Sequence, residues 1–347
     1  MFALSAVGTV GPAYGAIPAS DHPNIVIIMT DQQQYDKIGW LGTTGLSTPV
    51  MDRIAENGIT FTNAYCSFPL SIPSRFSMFT GFYPSEFNLR RNPKSPEQKS
   101  EIELDRVAEY SDRMMANLFN AAGYDTWYGG KAHLMSPDRN EDPEYYGFRT
   151  VYSTERRGRL GEEAAEFLKT KSPVGKPFLM VVSYINPHDI CEYDDYVVYD
   201  KLDEKFKRKK AEGLARVRKY VAQAEEWPDS VFYSDICPGL PENHELMAGE
   251  PEGLPGRAVD YTDGQWRMHR WVYNRLIEEV DSDIAPVISA LEDGGFMDNT
   301  LIVFLSDHGD MDASHRREHK TVPFQEAQKV PFVISGPGIL KGVIDST

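Results

Sequence analysis

The sequence predicts an α/β fold in which a mostly parallel central sheet carries helices on both faces. Two observations predict it: short strands apolar on both sides recur along the chain, and helical patterns separate them. In chain order the strands read as NIVIIMT (24–30), DTWYGG (125–130), PFLMVVSYI (177–185), TLIVFLS (300–306) and VPFVISG (330–336). Each is β-branched or aromatic and continuously apolar rather than alternating, which suits a strand covered on both faces. RMMANLFNAAG (113–123) and VYNRLIEEVDSDIAPVISALEDGG (272–295) space their apolar residues as helices do and end at Gly.

Residues 200 to about 265 break this rhythm. DKLDEKFKRKKAEGLARVRKYVAQAEE (200–226) reads as one highly charged helix, followed by Pro- and Gly-rich coil. So long and polar a segment is either a functional lid or a mobile excursion. Residues 1–20 are apolar and rich in small residues. They read as the latter half of a secretory signal without its basic start, as a disordered tail, or as a first strand.

The 36 basic and 52 acidic residues leave a formal charge of -16, which argues against nonspecific nucleic-acid binding. An anionic substrate is still compatible, because Lys, Arg, His and a metal can reverse the field inside a cleft. After residue 20 no apolar run is long enough for a membrane anchor. Cys66, Cys191 and Cys237 have no CxxC spacing and imply neither a disulfide framework nor a structural zinc site.

Polar residues gather just past the C-terminal ends of the strands. The first strand runs into Asp31 and Gln32, the second into Lys131 and His133, the third into His188, and the fourth into Asp307 and His308. Singly, each has an ordinary reading: a helix cap, a turn, a solvated lysine, a structural histidine. Four strands delivering such groups to one edge are hard to obtain from packing alone, and that edge is where open α/β sheets bind ligands. Two carboxylates, an amide oxygen and an imidazole suit a divalent cation such as Ca²⁺, Mg²⁺ or Mn²⁺.

SIPSRFSMFTG (71–81), read as S-x-P-S-R-x-x-x-x-T-G, resembles the signature of the type I sulfatases, which opens on Cys in many members and on Ser in others. NIVIIMTDQQ is similar to the family's first metal strand, and GYDTWYGGKAHL to its G-Y-x-T-x-x-x-G-K-x-H-L stretch. SDHGDMDASHRREHKTVPFQEAQKVPFVISGPG is similar to its second metal strand, lysine segment and following strand. These motifs occur in the family's order, a far more specific signal than any one alone.

The resemblance implies an alkaline-phosphatase-like fold and roles for particular residues. Asp31, Gln32, Asp307 and His308 fall on the metal ligands, and a converted Ser71 completes the shell around one divalent metal, Ca²⁺ first. Arg75 falls on the arginine that steadies the modified side chain, and Lys131 and Lys320 on lysines that bind sulfate oxygens. His133 falls beside the modified side chain, and His188 near the leaving oxygen, as candidate general acid. Ser71, not Cys66 five residues earlier, takes the key position. The reaction implied is hydrolysis of sulfate esters, on a sulfated carbohydrate, with Asn186, Asp189, Glu192 and the 200–265 insertion as candidate sugar contacts.

A plain alcohol at that position has a chemical consequence. An unmodified serine that attacked sulfur would be trapped as an alkyl sulfate, whereas an aldehyde (formylglycine) can take up water and later expel sulfate. The resemblance therefore implies a serine-type maturing enzyme as a partner, a bacterial source, and, with the residues 1–20 reading, a periplasmic or exported protein. Gln32 and His308 also occur in choline-sulfatase-like and phosphonate-monoester-hydrolase-like members. That leaves a phosphonate monoester or phosphodiester hydrolase, or a silent binder of sulfated glycans, as alternatives. Residues 21–347 are expected to form the catalytic domain without the smaller C-terminal subdomain usual in the family.

Overall fold

The computed structural model describes residues 22–139, 141–152, 157–246, 249 and 260–347; the segment read as a signal remnant or tail lies outside the described residues. Eight strands form one sheet: β1 (Asn24–Asp31), β2 (Gly58–Phe61), β3 (Asp125–Gly130), β4 (Arg149–Thr150), β5 (Phe178–Pro187), β6 (Thr300–Ser306), β7 (Phe332–Ser335) and β8 (Val343–Asp345). Their order is β4-β3-β5-β1-β6-β7-β2-β8. Only β7 runs against its neighbours, pairing antiparallel with both β6 and β2. Because β3, β5, β1 and β6 are mutually parallel, their C-terminal ends lie along one edge. The sheet is mostly parallel, as expected; the last predicted strand is the antiparallel one.

Alternation along each strand sorts its side chains onto two cores. Val26 and Ile28 of β1, with Met180 and Val182 of β5, face a core built with the helices Leu160–Leu168 and Asp263–Asp293. Ile27 and Met29, with Leu179 and Val181, face the opposite core, which holds Ile72, Phe76 and Phe79 of the helix Ser71–Thr80. Both faces are covered, which is why these strands read as unbroken apolar runs.

The predicted C-terminal helix is longer than its pattern suggested, running from Asp263 to Asp293 with Pro286 inside it. Its start is marked by a capping box: the Thr262 hydroxyl accepts from Gln265 N, and the Gln265 side chain returns to Thr262 N. Residues 200–226 are two helices, Glu204–Lys209 and Ala211–Glu225, that meet at Lys210. The second is not a loose excursion. Leu214, Val217, Tyr220, Val221 and Ala224 recur at helical spacing and are buried, most of them in the first core. The high charge of this helix had masked that stripe. Among the described residues, no helix is long and apolar enough to cross a membrane.

Candidate active site

The parallel edge places Asp31 at the end of β1, Lys131 one residue past β3, His188 one residue past β5, and Asp307 and His308 directly after β6. The helix Ser71–Thr80 lies beneath the sheet, anchored by Ile72, Phe76 and Phe79, with its first residue at this edge. Ser71 and Arg75 are one helical turn apart and therefore share a face. Both are buried, as are Asp31, Gln32, Lys131, Asp307, His308 and Lys320. Ser71 opens a helix, so the positive end of its dipole favours an anion nearby.

Arg75 holds the centre together. Its Nη2 donates to Asp31 Oδ2 at 2.9 Å and its Nε to Asp307 Oδ2 at 2.7 Å, so one guanidinium spans both carboxylates. Its Nη1 donates to the Lys131 carbonyl and to Ser183 Oγ, each at 2.7 Å. Lys131 Nζ lies 2.8 Å from the same Asp31 Oδ2. Burial alone would raise the Asp31 carboxyl, yet Lys131 and Arg75 together hold it well below the usual carboxylate range. Asp31 is therefore ionised.

His308 is oriented by its own backbone neighbour. Its Nδ1 lies 2.9 Å from the Gly309 carbonyl, which can only accept, so the proton sits on Nδ1 and Nε2 keeps its lone pair. That Nε2 faces Ser71 Oγ at 3.2 Å, Asp307 Oδ1 at 3.6 Å and Asp31 Oδ1 at 3.9 Å. Burial lowers the imidazole from its ordinary value and keeps it neutral, as ligation requires. Ligand atoms of Asp31, Asp307 and His308 all fall within 4.8 Å of one another. Asp31 Oδ1, buried, has no hydrogen-bond partner among the described residues. An oxygen-rich set with one imidazole and an orphaned carboxylate oxygen fits a divalent cation.

Gln32 sits beside this cluster in a left-handed backbone conformation, φ 73°. Its amide oxygen receives the Lys320 ammonium and, at 3.2 Å, the Cys191 thiol, while its Nε2 donates to Asp310 Oδ2 at 2.6 Å. Lys320 also lies 3.6 Å from Cys191 Sγ. His133 and His188 are half-buried at the mouth of the site. Burial and the adjacent Lys131 hold both well below the ordinary histidine value. Both are neutral at pH 7 while no anion is bound. His133 Nε2 is 3.5 Å from Glu141 Oε1, and its backbone N donates to Glu141 Oε2 at 2.5 Å.

The structure thus brings Asp31, Ser71, Arg75, Lys131, Asp307 and His308 into direct contact and joins Lys320 to them through Gln32. The proposed sugar contacts require correction. Asp189 is buried and gripped by both Arg157 nitrogens, at 2.8 and 2.9 Å. Asn186 Oδ1 caps the Asp189 backbone N at 3.1 Å, and Glu192 accepts Lys210 at 2.7 Å. Charged and amide groups this buried need partners inside the protein, and each has at least one, although Glu192 Oε2 has none among the described residues. Cys66 is no rival to Ser71, since burial and then Asp307 push its thiol up to about 12.

Three supporting residues escaped the sequence reading. Ser183, a single hydroxyl inside an apolar strand, accepts Arg75 and donates to the Lys131 carbonyl at 2.6 Å. Its signal was its isolation among apolar residues. Asp310 was visible as the next carboxylate in DHGDMD, but nothing in the sequence tied it to Gln32. Cys191 carried no signal.

Comparison with known proteins matches residues 23–347 to the sulfatase family model. A Delta 4,5-hexuronate-2-O-sulfatase of Bacteroides thetaiotaomicron is 27% identical over 340 residues, covering 93% of this chain and 64% of that protein. An arylsulfatase of Clostridium perfringens is 26% identical, covering 92% of this chain and 70% of its own length. The solved structure of BT1596, a 2-O GAG sulfatase, superposes with a TM-score of 0.66 at 23% identity, covering 93% of this chain and 68% of that one. The chain therefore spans about two-thirds of the length of these relatives.

Proposed function

The chain belongs to the sulfatase family, and on that premise we propose that it hydrolyses sulfate esters of a carbohydrate through a formylglycine made from Ser71. The observation that carries this reading is the position of Ser71 Oγ. It lies 3.2 Å from the unprotonated His308 nitrogen, inside the cluster of Asp31, Asp307 and Arg75. The saccharide part is supported by the relatives named for hexuronate and glycosaminoglycan sulfates.

Asp31, Asp307 and His308 would hold the metal, with Gln32 and the converted Ser71 completing its shell; Ca²⁺ is the leading candidate and Mg²⁺ or Mn²⁺ the alternatives. Bound there, a divalent cation lowers the pKa of a neighbouring hydroxyl and offsets charge on a sulfate oxygen. The aldehyde, once hydrated, supplies one hydroxyl to attack sulfur and a second whose deprotonation expels sulfate. The chain's own residues do the rest. Arg75 fixes the two carboxylates, and Lys131 and Lys320 set their positive charge against the sulfate oxygens as negative charge shifts toward the leaving group. Neutral His133 is suited to take a proton.

His188 must first acquire a proton to act as general acid; burial opposes this most and Lys131 and Lys320 next, and a sulfate anion held by the two lysines would remove the second effect. His188→Ala should therefore slow alkyl sulfates by about 10²–10⁴-fold. It should slow an aryl sulfate with an acidic phenol far less, because that leaving group departs without a proton. Equal losses on both substrates would remove His188 from this role.

The direct test is the mass of the tryptic peptide Ile54 to Arg75 from protein made with a serine-type maturing enzyme. We expect it to be lighter by one H₂, and the modified protein to release sulfate. An unmodified peptide from protein that turns over sulfate esters would overturn the formylglycine reading. Export to the periplasm of a bacterium belongs to the same proposal, since the relatives named above are bacterial proteins.

A further inference from the structure

Among the described residues, one other group brings three metal-ligating atoms together: Asp194, Glu318 and His319, whose ligand atoms all lie within 4.8 Å of one another. We propose that these residues form a second divalent-cation site, of the zinc and manganese class. It ties the helix Glu192–Val197 to the segment that carries Lys320.

The geometry needs little adjustment. Two ligands of a tetrahedral zinc ion, at roughly 2.0–2.2 Å each, stand about 3.5 Å apart. Atoms already within 4.8 Å of one another close to that spacing by side-chain rotation. Two carboxylates with one imidazole admit a borderline ion such as Zn²⁺ or Mn²⁺. Three ligands from two separate segments leave a coordination position for water.

The surroundings ask for a cation. Glu318 is buried and Asp194 is half-buried, yet their carboxylates face each other, and the Tyr261 hydroxyl lies 3.4 Å from both. A proton on His319, whose Nε2 is 3.4 Å from Glu318 Oε1, offsets part of that repulsion. A metal ion on the same nitrogen would offset all of it. Next to the group lies His269, fully buried, with neither ring nitrogen hydrogen-bonded among the described residues. Glu318 is the charged group it feels most strongly. Its Nδ1 lies 3.9 Å from Asp312 Oδ1, too far for a hydrogen bond, so this imidazole holds no strong partner among the described residues.

This site is separate from Asp31, Asp307 and His308, so its failure would leave the proposed reaction untouched. The test is a calorimetric titration of ZnCl₂ into the full chain already saturated with Ca²⁺. We expect one equivalent of Zn²⁺, with affinity lowered about 10–100-fold or more by His319→Ala and by Asp194→Asn. His319 is 31% exposed, so its truncation should leave a folded chain, to be checked by circular dichroism. Absence of zinc binding, or binding that neither substitution weakens, would overturn the proposal.

Discussion

Ser71→Ala should abolish turnover while leaving the fold intact. The Ser71 side chain makes one hydrogen bond, to His308 Nε2, so its loss costs about 1 kcal/mol of stability. Its chemical loss is far larger. Removing the atom proposed to attack sulfur would remove the covalent route altogether, and comparable nucleophile deletions cost on the order of 10⁴–10⁶ in kcat. Asp31, Asp307 and His308 remain, so Ca²⁺ should bind the variant within a few-fold of the parent. Sulfate release measured on the same preparation as the thermal melt and the Ca²⁺ titration decides the matter. A folded, metal-binding Ser71→Ala chain that retains even a tenth of the parent rate would exclude Ser71 as nucleophile.

Arg75→Ala should do the opposite: the larger damage is to the fold. The guanidinium is wholly buried, joins Asp31 to Asp307, and satisfies the Lys131 carbonyl and Ser183 Oγ. Truncating it takes a partner from two buried carboxylates, with Lys131 as the remaining cation on Asp31, while the Lys131 carbonyl keeps Ser183 Oγ. Breaking a buried pair in this way costs about 3–5 kcal/mol, and a Tm lowered by roughly 5–10 °C follows. The same deletion leaves the cluster more negative, so Ca²⁺ should bind more tightly and restore part of the lost Tm. Arg75→Lys keeps the charge but not the fork, and should recover stability only in part. A wild-type Tm for Arg75→Ala in the presence of chelator would show that the carboxylates are held by something else.

Much of this centre was legible because parallel strands export their chemistry to one end. Once Asp31, Lys131, His188 and Asp307 followed apolar runs, their shared edge followed from the direction of the strands. The weak strands β2, β4 and β8 were not legible: they are two to four residues long and carry too little pattern to distinguish from loop. The charged helix Ala211–Glu225 hid its apolar stripe among Lys, Arg and Glu. Asn186, Asp189 and Glu192 were misjudged for a different reason. A polar residue near a catalytic histidine looks the same in sequence whether it faces substrate or Arg157 and Lys210, and only the tertiary partners distinguish the two.

The loop that delivers Lys320 is shaped from outside. Asp312, Ala313, His315, Arg316, His319 and Thr321 all have positive φ without being glycine, conformations that each cost about 1–3 kcal/mol. Such a segment cannot adopt this shape alone. It is held by distant backbone, with His315 N on the Asn243 carbonyl at 2.8 Å and Thr321 N on the Pro69 carbonyl at 3.0 Å. During folding, those contacts close only after parts of the chain far apart in sequence have met, and loop-closure entropy makes them late. Lys320 is therefore expected to reach the centre late in folding and to leave it early on heating, so activity should be lost at or below the temperature at which the core melts.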